Sequence, residues 1–400
     1  MRITSIDCFV LLDPKMNKSA TSSAQDDIVV LIHTDEGITG IGETDVNPWM
    51  ARACIMAPST HTMGLSLAEM LIGENPLDIE RIWQKLYEGS AMNGRRGVVI
   101  NAIGAIDIAL HDIRGKKLGK PCHELLMDGP KKEFVTPYAS LQPETNSFES
   151  YKTSLAEWAK KAKDMGYKAG KAECTLGGPY AHMGLREPYH RMTEVIEAVR
   201  YAVGDDFILM VDAQYAFPDA KTCLSIIRDW KDFDIFFLET PLPMDDLEGY
   251  RILSEEQNIP IAAGEWLSTR YEFQHLIDLG KVGVVQPDMG RVGGLSEACK
   301  VASMANEKGL TIVPHLWKTG ISIAAATHFS AVNPACPFIE FLPSELCEST
   351  LRKELLKEDI QMVNGVIPLP TKPGLGIEID FDALKRFEKA ADAAVKNIRI

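Results

Sequence analysis

From Phe134 onward, short apolar runs recur at intervals that point to a parallel sheet. They are Phe134–Ser140, Tyr167–Cys174, Phe207–Ala213, Ile235–Pro241, Ile259–Glu265, Val282–Asp288, Thr311–His315 and Phe338–Phe341. Amphipathic helical stretches separate most of them, among them Ser154–Met165, Met192–Val203, Lys221–Asp229 and Leu295–Lys308. Apolar runs of this length suit strands buried on both faces, and an intervening helix returns each strand parallel to the one before. Eight strands is a number that closes into a barrel whose interior side chains can fill. The expected class is α/β, with a (β/α)8 barrel of the TIM type.

Such a barrel takes about 250 residues, and the chain has 400. The first part supplies a second unit of α+β character. Ile3–Leu12 and Ile28–His33 read as strands, Asp35-Glu36-Gly37 as a turn, and Ile38–Gly42 as a third strand. Residues 13–26 and 43–50 read as polar loops. Helical periodicity runs from Leu65 to Leu118, with Ala102, Ile103, Ala105, Ile106, Ala109 and Leu110 on one apolar face. Near the end, Asn364-Gly365 and Pro368–Pro373 break the last barrel helix. Gly374-Leu375-Gly376, an extended Ile377–Ile379 and a helix over Asp380–Asn397 follow. The expected division is a capping domain over 1–130, a barrel over 131–364 and a tail over 365–400 that returns to the cap.

A net charge of −14 argues against nucleic acid and against anionic membranes. It leaves room for an anionic substrate, because a bound cation reverses the field locally. The chain contains no apolar run of 18 residues, and its N-terminus lacks the apolar core of a signal peptide. The eight cysteines form no C-x-x-C pair, so they read as inert thiols in a reducing cytoplasm. A homo-oligomer with no nucleic-acid or membrane partner is expected.

In a parallel barrel all strand C-termini open on one face, where catalytic groups sit. The proposed strands end in Val211-Asp212-Ala213, Leu238-Glu239-Thr240, Ala263-Gly264-Glu265, Gln286-Pro287-Asp288 and Val313-Pro314-His315, and the eighth carries Ile339-Glu340. A single acid in such a place is most often a loop residue or a helix cap. Asp212, Glu239 and Glu265 in register on consecutive strands are a set, and like charges that close need a cation. Three hard oxygen ligands with positions left open suit Mg2+ better than zinc. Asp288 and His315, on adjacent strands, form a dyad in which the carboxylate fixes the imidazole tautomer and raises its basicity. His33, His61, His111, His123, His275 and His328 read as structural.

These residues, with Arg96-Gly97, the run Ala105-Ile106-Asp107-Ile108-Ala109-Leu110-His111-Asp112, Gly115-Lys116 and Pro373-Gly374-Leu375-Gly376, resemble the enolase superfamily over almost the whole chain. The ligand set, the dyad and Glu340 resemble its mandelate racemase subgroup. The resemblance implies a Mg2+ ion that holds a substrate carboxylate and stabilises an enediolate. It also implies a Glu340 that hydrogen-bonds that carboxylate from the other side, as a protonated acid. Mandelate racemase itself carries Lys-x-Lys on the second strand. Here the segment reads Lys171-Ala172-Glu173. Lys171 matches the lysine that neutralises the carboxylate, and Glu173 stands where the second, opposing base would be. Three roles are open to Glu173: an acid or base of its own, a hydrogen-bonding group for substrate hydroxyls, or an ion-pair partner of Lys171.

One proton carrier without a second lysine favours dehydration of an acid sugar, an aldonate or aldarate, to a 2-keto-3-deoxy acid. The alternatives are a racemase, epimerase or cycloisomerase working through the same intermediate, and a catalytically dead barrel used for binding. Gln214 follows the first ligand by two residues and is a candidate for orienting it. The long loop 175–190, with His182, Arg186 and His190, is a candidate substrate loop. Residues 13–26 and 43–50 match the superfamily's specificity loops by position, and Trp49 and Met50 are expected to face the ligand.

Overall fold

The computed structural model describes residues 1–18, 22–143, 147–347 and 349–396. Residues 19–21 of the first polar loop and Asn397 at the end of the expected last helix lie outside them.

Three antiparallel strands open the chain: β1 (Ile3–Leu12), β2 (Asp26–Thr34) and β3 (Thr39–Glu43), in the order β1-β2-β3. Strand β2 is buried on both faces. Ile28, Val30 and Ile32 join a cluster with Ile103, Ile106 and Leu110 of the helix Val98–Leu118. Val29 and Leu31 join Leu384 and Phe387 of the C-terminal helix Phe381–Lys396. The period-2 alternation of a strand produces this division. The tail thus lies against the N-terminal sheet, with Ala391 beside Val10 and Leu12.

The helix Val98–Leu118 sits directly on β3. A Cβ on Gly42 would come 1.9 Å from the Ala105 carbonyl oxygen, and one on Gly40 would come 2.1 Å from that of Ala109. Only hydrogen at those positions permits this approach. The helix Pro48–Met56 falls partly inside the expected second loop. Its start was legible: Asn47 caps it by accepting from Met50 N, and Pro48 takes the first position.

The first expected barrel run divides in two. β4 (Phe134–Val135) pairs antiparallel with β13 (Ile367–Pro368), while β5 (Pro137–Leu141) enters the barrel sheet. The remaining barrel strands are β6 (Ala169–Glu173), β7 (Ile208–Asp212), β8 (Ile235–Glu239), β9 (Ile261–Ala263), β10 (Val284–Val285), β11 (Thr311–Ile312) and β12 (Ile339–Phe341). The eight form one curled parallel sheet in the order β11-β10-β9-β8-β7-β6-β5-β12. The two end strands meet through Ile312 N donating to Ala335 O and Leu316 N donating to Glu340 Oε2. β10 and β11 are shorter than their apolar runs because Pro287 and Pro314 have no N–H to continue a ladder. Inside, the strands and their flanks contribute Tyr138, Ala169, Met210, Phe237, Ala262, Val284, Val313 and Phe338 to one packed layer. Among the described residues, no helix is long and apolar enough to cross a membrane.

Candidate active site

The register of the parallel sheet decides which strand ends are neighbours. Glu173 lies across from Asp212, and Asp212 from Glu239. Lys171 and Glu173 are two apart on β6, so both point to the same face, and both are buried. Glu265 lies just beyond β9, Asp288 beyond β10 and His315 beyond β11, while Glu340 lies within β12. All eight residues expected from the sequence are buried at this one mouth.

Lys171 is the hub. Its ammonium donates to Glu239 Oε1 and lies 2.9 Å from Glu340 Oε1 and 3.4 Å from Asp212 Oδ2. Burial works against its charge, but Glu239, Glu340 and Asp212 outweigh that and hold it well above an ordinary lysine. Glu239 Oε2 accepts from Gln286 Nε2. Glu265 accepts from Tyr215 OH at 2.8 Å and faces His315 Nε2 at 3.1 Å and Arg291 at 3.6 Å. Each of the three acids expected to hold metal is therefore turned to a protein donor.

The donor set fits Mg2+. Burial and mutual repulsion push Glu239 well above, and Glu265 above, the usual carboxylate range, despite Lys171 and His315. Acids outnumber cations here, and a hard divalent cation offsets that imbalance. Among the described residues, the trio whose ligand atoms already lie within 4.8 Å of one another is a different one: Asp45, Asp288 and His315. That trio does not suit a metal, because its oxygens are already taken. Asp288 Oδ1 accepts from Gly290 N and Arg291 N, and Oδ2 meets His315 Nδ1 at 2.8 Å. Asp45 pairs with Arg291 at 2.5 Å and with Lys318 at 3.4 Å.

The dyad is thus in place. Burial and Arg291 lower the His315 pKa, but Glu340, Asp288 and Glu265 overcome them and push it up to about 9. Glu340, expected to be a protonated acid against the substrate carboxylate, is pulled two ways. Burial raises it, yet Lys171, His315 and Ser140 hold it below the ordinary carboxylate value. It accepts from Ser140 Oγ at 2.7 Å and from Leu316 N at 2.8 Å.

Glu173 is not the ion-pair partner of Lys171, whose contacts are the three acids named above. It faces His182 Nδ1 at 3.3 Å. Burial raises its pKa, while His182 and Gln142 draw it down. In the long loop, His182 and Tyr180 reach the site, whereas Arg186 and His190 are exposed.

Strain is concentrated beside the acids. Gln214, Tyr215 and Thr240 all have positive φ, at 42°, 60° and 41°. Such conformations cost about 1–3 kcal/mol each and persist where the surroundings fix them. Here Gln214 N and Thr240 Oγ1 both donate to Asp212 Oδ1, and Tyr215 donates to Glu265.

These groups line a cavity of about 320 Å3 that also receives Ser22, Trp266 and Trp317. An adjoining cleft is bordered by Met16, Asn17 and Lys18 and by Asp45, Val46 and Asn47, so both capping loops reach the mouth. Trp49 and Met50 do not. Trp49 packs beside Val10 and Leu12, and Met50 is 55% exposed, because both sit on the capping helix rather than in the loop before it. Tyr215, Ser140, Arg291, Lys318 and Asp45 were not singled out from the sequence. Lys318, three residues after His315, and Arg291, three after Asp288, were the readable signals.

Comparison with known proteins agrees with this geometry. Residues 5–127 match the mandelate racemase / muconate lactonizing enzyme N-terminal domain, and residues 154–383 match the enolase C-terminal domain-like family. A D-galactarolactone cycloisomerase from Agrobacterium fabrum is 33% identical, over 97% of this chain and 99% of the relative. An arabinonate dehydratase from Saccharolobus solfataricus is also 33% identical, over 87% of each chain. The crystal structure of the 3,6-anhydro-D-galactonate cycloisomerase from Zobellia galactanivorans superimposes with a TM-score of 0.83 at 31% identity, covering 97% of this chain and 99% of the other. Two matched domains, a barrel whose strand ends carry acids and a histidine dyad, and relatives aligned along nearly their whole length make this chain an enzyme of the mandelate racemase/muconate lactonizing enzyme family of the enolase superfamily.

Proposed function

We propose that the chain is a Mg2+-dependent hydro-lyase that converts an acid sugar, an aldonate or aldarate, to its 2-keto-3-deoxy acid. The observation that carries this reading is the pairing of one histidine with Asp288 in a cavity whose wall carries a carboxyl group rather than an amine at Glu173. Asp212, Glu239 and Glu265 would hold the ion, which stabilises the negative charge that builds on the substrate carboxylate as the α-proton leaves. Lys171 neutralises the same carboxylate. His315 takes the α-proton at Nε2, with Asp288 holding Nδ1–H and so the tautomer. The imidazolium then returns that proton to the departing β-hydroxyl. The C–H and C–O bonds break, water leaves, and the enol tautomerises to the ketone. Glu340, Ser140 and Leu316 N bound the carboxylate pocket on the side of Lys171. The named dehydratase among the relatives supports the reading.

A second reading, cycloisomerisation through the same proton abstraction, is supported by the cycloisomerase that aligns over nearly its whole length. Incubation with a panel of acid sugars, with and without chelator, distinguishes the two. The expected result is 2-keto acid that vanishes with chelator and returns with Mg2+, along with Mg2+-dependent stabilisation of about 2.7 kcal/mol at a hundredfold excess over Kd. Full turnover in metal-free enzyme would sink the mechanism. A cyclised product with no keto acid would favour the second reading.

A further inference from the structure

The charges around the cavity bear on the substrate, and the inference rests on the acid-sugar reading above. Among the described residues, the lysine, arginine and dyad histidine that line the cavity are Lys171, Arg291 and His315. All three are committed. Lys171 serves Glu239, Glu340 and Asp212. Arg291 is clamped between Asp45 and Glu265. His315 bridges Asp288 and Glu265. The rest of the wall offers hydroxyls, amides and aromatic faces from Ser22, Ser140, Gln142, Gln214 and Tyr180, together with the buried carboxyl of Glu173. Whether ionised or neutral, a carboxyl gives no net positive charge to an anion, and the nearby His182 imidazole is turned to it.

The neighbouring spaces carry the same pattern. A small recess that shares Ser22, Ser140, Gln142 and Trp317 with the cavity is lined by hydroxyl, amide and apolar groups. In the cleft at the mouth, the exposed Lys18 shares the lining with Asp26 and Asp45. None of residues 19–21, 144–146 and 348 is basic.

A first carboxylate therefore has a site, formed by the ion and Lys171. A second one would be taken from water with no cation to receive it. We propose that the substrate carries a single carboxylate and an uncharged, hydroxyl-bearing far end, an aldonate or related monoacid rather than an aldarate. Ser22 and Gln142 share the hydrogen bonds of that far end, and Tyr180 and Trp266 offer it ring faces.

The test uses five- and six-carbon monoacids paired with diacids of the same configuration. Each pair is measured by 2-keto acid formation and by calorimetric binding to the Mg2+-loaded protein. The accepted monoacids should exceed their diacids by about 100-fold or more, the penalty for a polar group left unpaired. A diacid that binds or turns over as well as its monoacid overturns the proposal, and so does binding of no monoacid at all. Monoacid-selective binding without keto acid leaves the charge inference standing and removes the dehydratase reading instead. Ser22→Lys places a cation on the capping-loop wall of the cavity and should shift preference toward the diacid. A variant that binds monoacid and shows no such shift counts against the proposal.

Discussion

At the scale of single residues, the site divides into one imidazole that can carry a proton and many groups that hold charge in place. His315→Asn keeps the bulk and removes the carrier. Its turnover should fall by about 10²–10⁴-fold, the usual contribution of a general acid–base group. Binding measured by calorimetry should survive, since Lys171 and the three acids remain. Turnover near that of the parent enzyme would place the proton carrier elsewhere. Glu173 provides a stereochemical test. Substrate recovered from D2O should show no inversion at C2, because no amine stands opposite the dyad, and rapid inversion would make Glu173 or His182 a competent second base. The strand-end acids were readable because a parallel barrel turns every strand terminus to one side. Tyr215 was not, since its contact depends on positive φ after Asp212, and Arg291 was visible only as a cation three residues after Asp288, its partners set by a turn that does not follow from periodicity.

Elements explain what the apolar pattern could and could not reveal. Barrel strands were legible as runs, but their ends were not, because prolines shorten the ladders inside stretches that remain apolar. The helix Pro48–Met56 was missed because its moderately apolar sequence lies in a region rich in loop residues, although Asn47 and Pro48 mark its start. The junction between β3 and the helix Val98–Leu118 gives a quantitative test. Gly42→Ala drives a methyl group into backbone, and overpacking of this kind costs about 1–3 kcal/mol, occasionally more. Gly37→Ala is a useful contrast: its φ is 75°, and a Cβ there meets nothing within 4 Å. It should cost about 1–2 kcal/mol through backbone strain alone. Denaturant midpoints measure both, and equal losses would mean that the close approach is not what limits Gly42.

Across the whole molecule, the Asp288–His315 dyad is tied to the cap by charge. Lys318, 1% exposed in its side chain, bonds Asp26 at 2.6 Å and faces Asp45, while Thr44 donates to Gly290 O beside Asp288. Lys318→Met strands two acids and should cost about 3–5 kcal/mol of stability. The kcat of the fraction that remains folded should also fall, with faster hydrogen exchange in residues 22–26 and 43–47. Unchanged kcat in folded Lys318→Met would show that the dyad holds its geometry without the cap. The apolar layer from Tyr138 to Phe338 has a different consequence. It closes the barrel below Lys171, so the reaction chamber has a floor. In the dehydration proposed above, substrate, water and keto acid would all pass the mouth beneath the capping loops.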